Sequence, residues 1–434
     1  MIKKESIENL KNHLDVVDVI SQFLELKKTG ANFKACCPFH GETTPSFVVS
    51  PAKQIYHCFG CGVGGDSIKF VMEYEKLSYP ETIEKLASMY NFNLDYEDNA
   101  EKKQDTKILE EVNKYYQKLF VNNDNVKEYI HKRGISEFSV EKFEIGYAPV
   151  SIDTINFLKS NHYNLNDAIE LGVIDNGTNG LYSRFIERIT FPIYSISGKL
   201  VGFGGRTITG HNAKYVNSPQ TKLFNKSRLL YGYHLAKEQI YKKNQIIVCE
   251  GYLDVIMLHQ AGFNTAVATL GTALTQEHLP LLRRGEPKVI LAYDGDKAGL
   301  AAAFKASVML SQGEFEGGVI IFADGLDPAD MVHNGKINEL NEIFSNPISF
   351  IPYAIDYIIS KYDINDPNQK QKALTETNEY LKTLSLLNQD EYKRYLAQKL
   401  NIRENLVKIS SNKQRIYEPN LTKIDIAELC IIKS

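Results

Sequence analysis

A chain of 434 residues is long enough for two to four domains with cores of their own, and 43 % hydrophobic with 24 % charged residues is an ordinary globular composition. No apolar run approaches the roughly 20 residues of a membrane-spanning helix, and Met1-Ile-Lys-Lys-Glu-Ser passes straight into a polar amphipathic pattern, so no membrane span or secretory signal is expected and the cytoplasm is the default compartment. The net charge of −3 excludes no partner, because local charge can depart sharply from the total.

The first region, residues 1–97, opens with Ile7, Leu10, Leu14 and Val17, whose spacings of three and four predict one helix face. β-prone runs follow at Ser46-Phe-Val-Val and Gln54-Ile-Tyr, and another helix is predicted near 80–90. Four of the six cysteines, Cys36, Cys37, Cys58 and Cys61, fall within 26 residues. In a cytosolic chain of this size such a cluster indicates a metal site rather than a disulfide framework. Cys37-Pro-Phe-His40 and Cys58-Phe-Gly-Cys61 form two closely spaced ligand pairs separated by 17 residues. Zinc takes four such ligands in a tetrahedron, and Gly60 and Gly62 free the backbone for the tight turn. Four protein ligands leave no open position, so the expected role is structural, with one zinc ion per chain. Cys36 and His57 neighbour two of these ligands, and the assignment requires their side chains to point elsewhere. Cys249 and Cys430 lie far apart in apolar surroundings and read as inert core residues.

From Glu97 to Thr106 only Ala100 is apolar, and residues 98–106 are expected to be a linker. Helices are predicted over 107–120 and 125–132. Between Gly180 and Leu235 eight basic residues (Arg184, Arg188, Lys199, Arg206, Lys214, Lys222, Lys226 and Arg228) face one acid, Glu187, a local net of +7. Such clusters hold phosphate backbones, and the interleaved Tyr and Phe residues suit base stacking. Gly202-Phe-Gly-Gly lacks the glycine spacing of a dinucleotide-binding loop.

From 245 onward strand and helix patterns alternate. Strands are predicted at Gln245-Ile-Ile-Val-Cys-Glu, Lys288-Val-Ile-Leu-Ala-Tyr-Asp and Gly318-Val-Ile-Ile-Phe-Ala, with helices near 253–262, 275–284 and 297–311. This alternation implies a mainly parallel sheet covered by helices. Glu250 ends the first strand, and Asp294 and Asp296 end the second. Acids at the carboxyl ends of parallel strands converge on one edge, where their repulsion is relieved by a hard cation such as Mg²⁺. A cation there would bridge carboxylates and nucleotide phosphates. Beyond about 350 the chain is helical and polar.

The wording around these residues is more specific than their spacing. Cys37-Pro-Phe-His-Gly-Glu-Thr-Thr-Pro-Ser-Phe-Val-Val and Tyr56-His-Cys-Phe-Gly-Cys-Gly-Val-Gly-Gly-Asp-Ser-Ile-Lys-Phe resemble the zinc-binding domain of bacterial DnaG-type primases. Tyr129-Ile-His-Lys-Arg-Gly-Ile, Phe143-Glu-Ile-Gly-Tyr-Ala-Pro, Arg188-Ile-Thr-Phe-Pro-Ile, Val201-Gly-Phe-Gly-Gly-Arg206 and Lys214-Tyr-Val-Asn-Ser-Pro resemble the start of their polymerase domain, and the strand-Glu-Gly paired with strand-Asp-x-Asp resembles its Toprim domain. The resemblance, over about 5–410, implies an α+β multidomain chain. A zinc-ribbon-type domain would span 1–97, a basic mixed subdomain 107–240, the Toprim domain 241–335 and a helical subdomain 336–415. Residues 416–434 would begin a truncated helicase-binding domain.

The resemblance further implies synthesis of short RNA primers on single-stranded DNA, with the zinc domain helping to choose start sites. Glu250 would be the catalytic acid or base, and Asp294 and Asp296 catalytic metal ligands. Asp327 would be a further ligand for Mg²⁺ (or Mn²⁺), and Asp254 a supporting acid. Arg133, Arg184, Arg188, Arg206, Lys214, Asn217 and Lys226 would bind nucleic acid or nucleotide. The family often has Asp-Pro-Asp where this chain has Asp327-Pro-Ala329, and Asp330 is the candidate substitute. The implied partners are ribonucleoside triphosphates, the template, the replicative helicase and single-strand binding protein, for a monomer at the replisome. A Toprim nuclease or topoisomerase is the rival enzyme, and a topoisomerase would need a strand-attacking tyrosine domain. A non-catalytic zinc-bearing single-strand binder is the rival from another class, and the presence of Glu250, Asp294 and Asp296 argues against it.

Overall fold

The computed structural model describes residues 2–42, 44–90, 92–95, 107–178, 180–211, 213–271, 273–322 and 326–409. The linker expected at 98–106, Cys430 and the 416–434 segment lie outside the described residues. The described residues fall into two compact units, one reaching to Leu300 and including Ile320–Asn346, the other built from Ala301–Val319 and the residues from Pro347 on.

Within the first unit, the single helix face expected from Ile7 to Val17 is two helices, Lys4–His13 and Val16–Ser21. The break falls at Leu14-Asp15, where Asp15 accepts the amides of Val17 and Asp18 and starts the second helix. Leu10, Val16, Val19 and Ile20 are buried against Phe47, Val49, Tyr56 and Phe70 in a core of their own. A five-stranded antiparallel sheet runs in the order Lys27–Thr29, Asn32–Ala35, Phe47–Ser50, Ile55–Cys58, Gly64–Gly65. The helices Ser67–Glu75 and Tyr79–Met89 follow, the latter opened by Ser78 and Glu81 in a capping box.

A second antiparallel sheet orders Tyr215–Asn217, Leu200–Thr207, Arg188–Tyr194 and Gly146–Ala148. Every residue of Leu200–Thr207 is buried. Its glycines are explained by the rings that press on it. A Cβ on Gly204 would lie 2.3 Å from the Tyr252 ring, and one on Gly205 would lie 2.6 Å from Phe185. The strand therefore seats Tyr252, the first residue of the helix Tyr252–Gln260.

Ala266–Ala268, Gln245–Cys249 and Lys288–Ala292 lie side by side in parallel, with Ile247 opposite Ala266 and Ile290. The strand Ala266–Ala268, three residues long, was not among the strands expected from the sequence. Buried on both faces, these strands are continuous apolar runs. Their parallel direction brings the chain after Cys249 and after Ala292 to the same edge.

In the second unit, the helices Phe350–Ile359, Pro367–Leu381 and Leu386–Leu400 enclose Ala354, Ile355, Ala373, Leu381, Leu396 and Leu400. Gly317–Ile320 pairs antiparallel with Ile348–Ser349 through Gly318 and Val319.

Candidate zinc centre and active site

Cys37 and His40 stand on the turn that leaves Asn32–Ala35. Cys58 ends the strand Ile55–Cys58, and Cys61 follows on the next turn, where Gly62 takes a φ of 77°. The four ligand atoms lie within 4.8 Å of one another. Cys37 Sγ to Cys61 Sγ and Cys58 Sγ to His40 Nδ1 are both 3.8 Å. Two sulfurs about 2.3 Å from a tetrahedral zinc stand about 3.8 Å apart, so the donor set fits the ion. Cys36 is exposed and outside the cluster. Gly60 is required by proximity, since a Cβ there would lie 2.6 Å from His40 Nε2.

A supporting shell was not legible in the sequence. Glu42 accepts the amide of Cys37 at 2.6 Å, the amide of Ser46 at 3.1 Å and the Ser46 hydroxyl at 2.5 Å. Its other neighbour is His40 Nε2 at 3.3 Å, which leaves Nδ1 facing the thiols. The hydroxyl of Ser46 holds the Glu42 carboxyl below its ordinary value. Burial pushes the Cys37 thiol up to about 12. Burial opposes ionisation of Cys58 too, but Ser46 and the amides of Cys61 and Gly60 outweigh it and bring that thiol down to about 6. Cys58 is thus prepared as a thiolate ligand.

At the edge of the parallel sheet a cavity of about 500 Å³ is lined by the acids Glu250, Asp254, Asp294, Asp327 and Asp330 and by the bases Lys132, Arg133, Arg206 and Lys214. Burial and the neighbouring Asp294 raise Glu250 from 4.5 to about 7. Burial, Asp327 and Asp296 raise Asp294 from 3.8 to about 6. Asp254 is buried and well above its usual range through burial and the charges of Asp327 and Asp294, and it accepts the amide of Gly251 at 3.0 Å. Asp296 accepts the Gly299 amide at 2.7 Å and does not line the cavity. Asp327 caps the helix Pro328–His333 through the Asp330 amide at 2.6 Å. Among the described residues no three of these acids bring ligand atoms as close as the zinc cluster does. Their separation and shared repulsion suit a hard cation that keeps water and phosphate ligands between carboxylates.

The basic residues divide by environment. Lys214 and Arg133 reach the cavity. Arg206 also lines it, though only 4 % exposed, its Nε donating to Tyr129 at 2.7 Å and its Nη1 to Tyr215. Arg188 is buried, and its guanidinium donates to the carbonyls of Ala213, Lys214 and Gly205. Arg184 donates to the Asn217 carbonyl at 3.1 Å. Asn217 is buried at the cavity wall, giving its amide to Leu270 O and accepting the Tyr252 hydroxyl. Lys226 is half-buried on a short 3-10 turn whose carbonyl meets His278 Nε2 at 3.0 Å. Sequence reasoning missed Lys132 and His333, which line the same cavity.

Four families match the chain: the CHC2 zinc finger at residues 2–102, the N-terminal domain of the DNA primase catalytic core at 115–237, the Toprim domain at 244–320, and the DnaB-helicase binding domain of primase at 353–405. The chain is 51 % identical to the DNA primase of Helicobacter pylori (strain 26695) over 92 % of its own length and 71 % of that protein. It is 43 % identical to the DNA primase of Campylobacter jejuni over 100 % and 74 %. Among solved structures, the zinc-binding and RNA polymerase domains of Aquifex aeolicus primase match with a TM-score of 0.61 at 33 % identity, covering 93 % of this chain and 99 % of that one.

Proposed function

Because this chain belongs to the DNA primase family, whose members make RNA primers on a DNA template, we propose that it joins ribonucleotides at the acid-lined cavity of the Toprim region. The observation that carries the reading is that Glu250, Asp294 and Asp327 line one cavity together with Lys132, Arg133 and Lys214. A divalent cation, Mg²⁺ or Mn²⁺, would neutralise the developing charge of phosphoryl transfer when bound. Asp294 and Asp327 would hold it, with Asp296 offering the oxygen not turned to Gly299. Asp330 stands in the same cavity and takes the place of the carboxylate that Ala329 lacks. Glu250, raised toward neutrality, is suited to accept the proton of the attacking 3′-hydroxyl. Arg133 and Lys132, beside Asp327, would take the triphosphate of the incoming ribonucleotide. Lys214, Lys226 and Arg184 would follow the template backbone. Arg206 holds Tyr215 in the cavity wall and ties it to Tyr129 behind, and Arg188 keeps its strand in place.

The zinc domain would touch the template through its open sheet face. Lys27, Lys34, Val48 and His57 pair in one row across four strands, and Phe59, 75 % exposed, packs edge-on against His57 at 4.8 Å. Cations beside stacking rings are a single-strand binding surface. The match of the helicase-binding family to residues 353–405 supports the second unit as a contact for the replicative helicase. The chain would work as a monomer, on template coated by single-strand binding protein.

The test is incorporation of ribonucleotides on a single-stranded template with Mg²⁺. Wild type should make RNA, and Glu250→Gln and Asp294→Asn should lose about 10²–10⁴-fold in rate. No RNA from wild type, or full activity in both variants, would falsify this mechanism.

A further inference from the structure

Arg133 ends the helix Asp124–Lys132 and is followed by Gly134, whose φ is 79°. An arginine on the shoulder of such a turn is placed only as well as the turn itself. Two helices fix this one, and both begin at a cavity acid. The helix Tyr252–Gln260 opens beside Glu250 and Gly251 and ends at Gln260. Gln260 Nε2 donates to the Gly134 carbonyl at 2.8 Å, and its Oε1 accepts the Ser136 amide and the Ser139 hydroxyl, both at 2.9 Å. The helix Pro328–His333 opens at Asp327 and ends against the other side of the turn. A Cβ on Gly134 would lie 2.5 Å from His333 Nδ1 and 3.1 Å from Met257.

Gln260 is exposed and adds no apolar surface to the buried core, and its three hydrogen bonds all fall on residues 134–139, so they act chiefly on the turn and the helix that follows it. Arg133 leaves this turn toward the cavity, beside Asp327, Asp330 and His333. We propose that Gln260 is a positioning residue for the incoming nucleotide: it clamps the 133–136 turn so that Arg133 meets the triphosphate at a fixed distance from the acids. The inference rests on the reading above that Arg133 takes a phosphate. It goes further in naming a residue that touches neither substrate nor metal and sets nucleotide affinity through Arg133.

The experiment is steady-state primer synthesis by the whole chain, with KM for ribonucleoside triphosphate, kcat, affinity for single-stranded DNA and melting temperature measured together. Gln260→Ala should raise KM about tenfold and leave kcat, DNA affinity and melting within about twofold or a few degrees. Gln260→Glu keeps the acceptor for Ser136 and Ser139 but loses the donor to Gly134, and should fall between. Arg133→Ala should raise KM at least as far, and Arg133→Ala with Gln260→Ala should be no worse than Arg133→Ala alone, because the clamp then has nothing to place. An unchanged KM in Gln260→Ala while Arg133→Ala raises it overturns the proposal and spares the earlier reading. Additive effects, or a loss confined to kcat and melting, overturn it also, since they would mark a merely structural residue. An unchanged KM in Arg133→Ala overturns both together.

Discussion

At the scale of single residues, two carboxylates in this chain do opposite work. Glu42 carries no chemistry and organises a metal site. It fixes which nitrogen of His40 faces the thiols and, through Ser46, presses Cys58 toward its thiolate. Glu42→Gln should therefore weaken zinc by about 10–100-fold, measured as zinc release to a chromogenic chelator at neutral pH. Unchanged release kinetics would deny Glu42 this role. Glu250 is held in an unfavourable state by burial and by the neighbouring Asp294. Gln at that position removes a repulsion, so Glu250→Gln should slow priming by the same factor of about 10²–10⁴ while leaving the melting temperature at neutral pH equal to wild type or higher. The ligand cysteines, His40 and the sheet-edge acids were legible because their residue types are tied to their chemistry. Glu42 and Gln260 were not, since a lone Glu or Gln beside a turn has no distinguishing pattern until the fold supplies its partners.

At the scale of elements, the run Leu200–Thr207 shows how sequence and packing can part. Its glycines read as weak strand formers, yet the strand is buried throughout because Tyr252 and Phe185 occupy the space that side chains would fill. Gly204→Ala should cost about 1–3 kcal/mol in denaturant unfolding, and should harm priming further by shifting the helix that begins at Tyr252. A variant of wild-type stability would mean the ring moves aside freely. The parallel strands and their helices were legible because apolar runs of four or five residues, each ending in an acid, have few other readings. Ala266–Ala268 was hidden by its brevity, and the first helix broke at Asp15, where a cap outweighed the continuing apolar period. Whether Arg188 and Arg206 serve the surface or the interior could not be told from charge counting, which is blind to which strand face a side chain leaves.

At the scale of the whole molecule, the acids make stability depend on pH, and on the proposed mechanism on cation as well. Glu250 and Asp294 hold their protons more tightly in the folded cation-free protein than in the unfolded chain, by the directions given above. The folded state then binds more protons, so these groups lower stability as pH rises from about 4 to about 7. A divalent cation held by these acids would remove that penalty. Added Mg²⁺ should raise the melting temperature at pH 8 and do little at pH 4.5, by calorimetry of the zinc-loaded protein; equal shifts at both would place Mg²⁺ elsewhere. Zinc acts on a separate core. Cys61→Ser should impair template-directed initiation more than it disturbs residues 107–350, by limited proteolysis, and equal loss of both would count against that independence.

The seam between the zinc region and the remainder of the first unit has a consequence for how such chains can be recombined. Arg284 donates to the backbone carbonyl of Lys76 at 2.5 Å, and Lys76 lies over the Tyr241 ring at 5.8 Å. The side-chain pairs across it, Arg284 with Glu81 and Lys199 with Glu84, are at or near the surface. A main-chain acceptor is present whatever residue occupies position 76, so the joint reads little of its partner's identity. The zinc region is in that sense an exchangeable cartridge, and a chimaera carrying a relative's version ahead of residue 107 should seat in the same place and bring its own start-site preference with it.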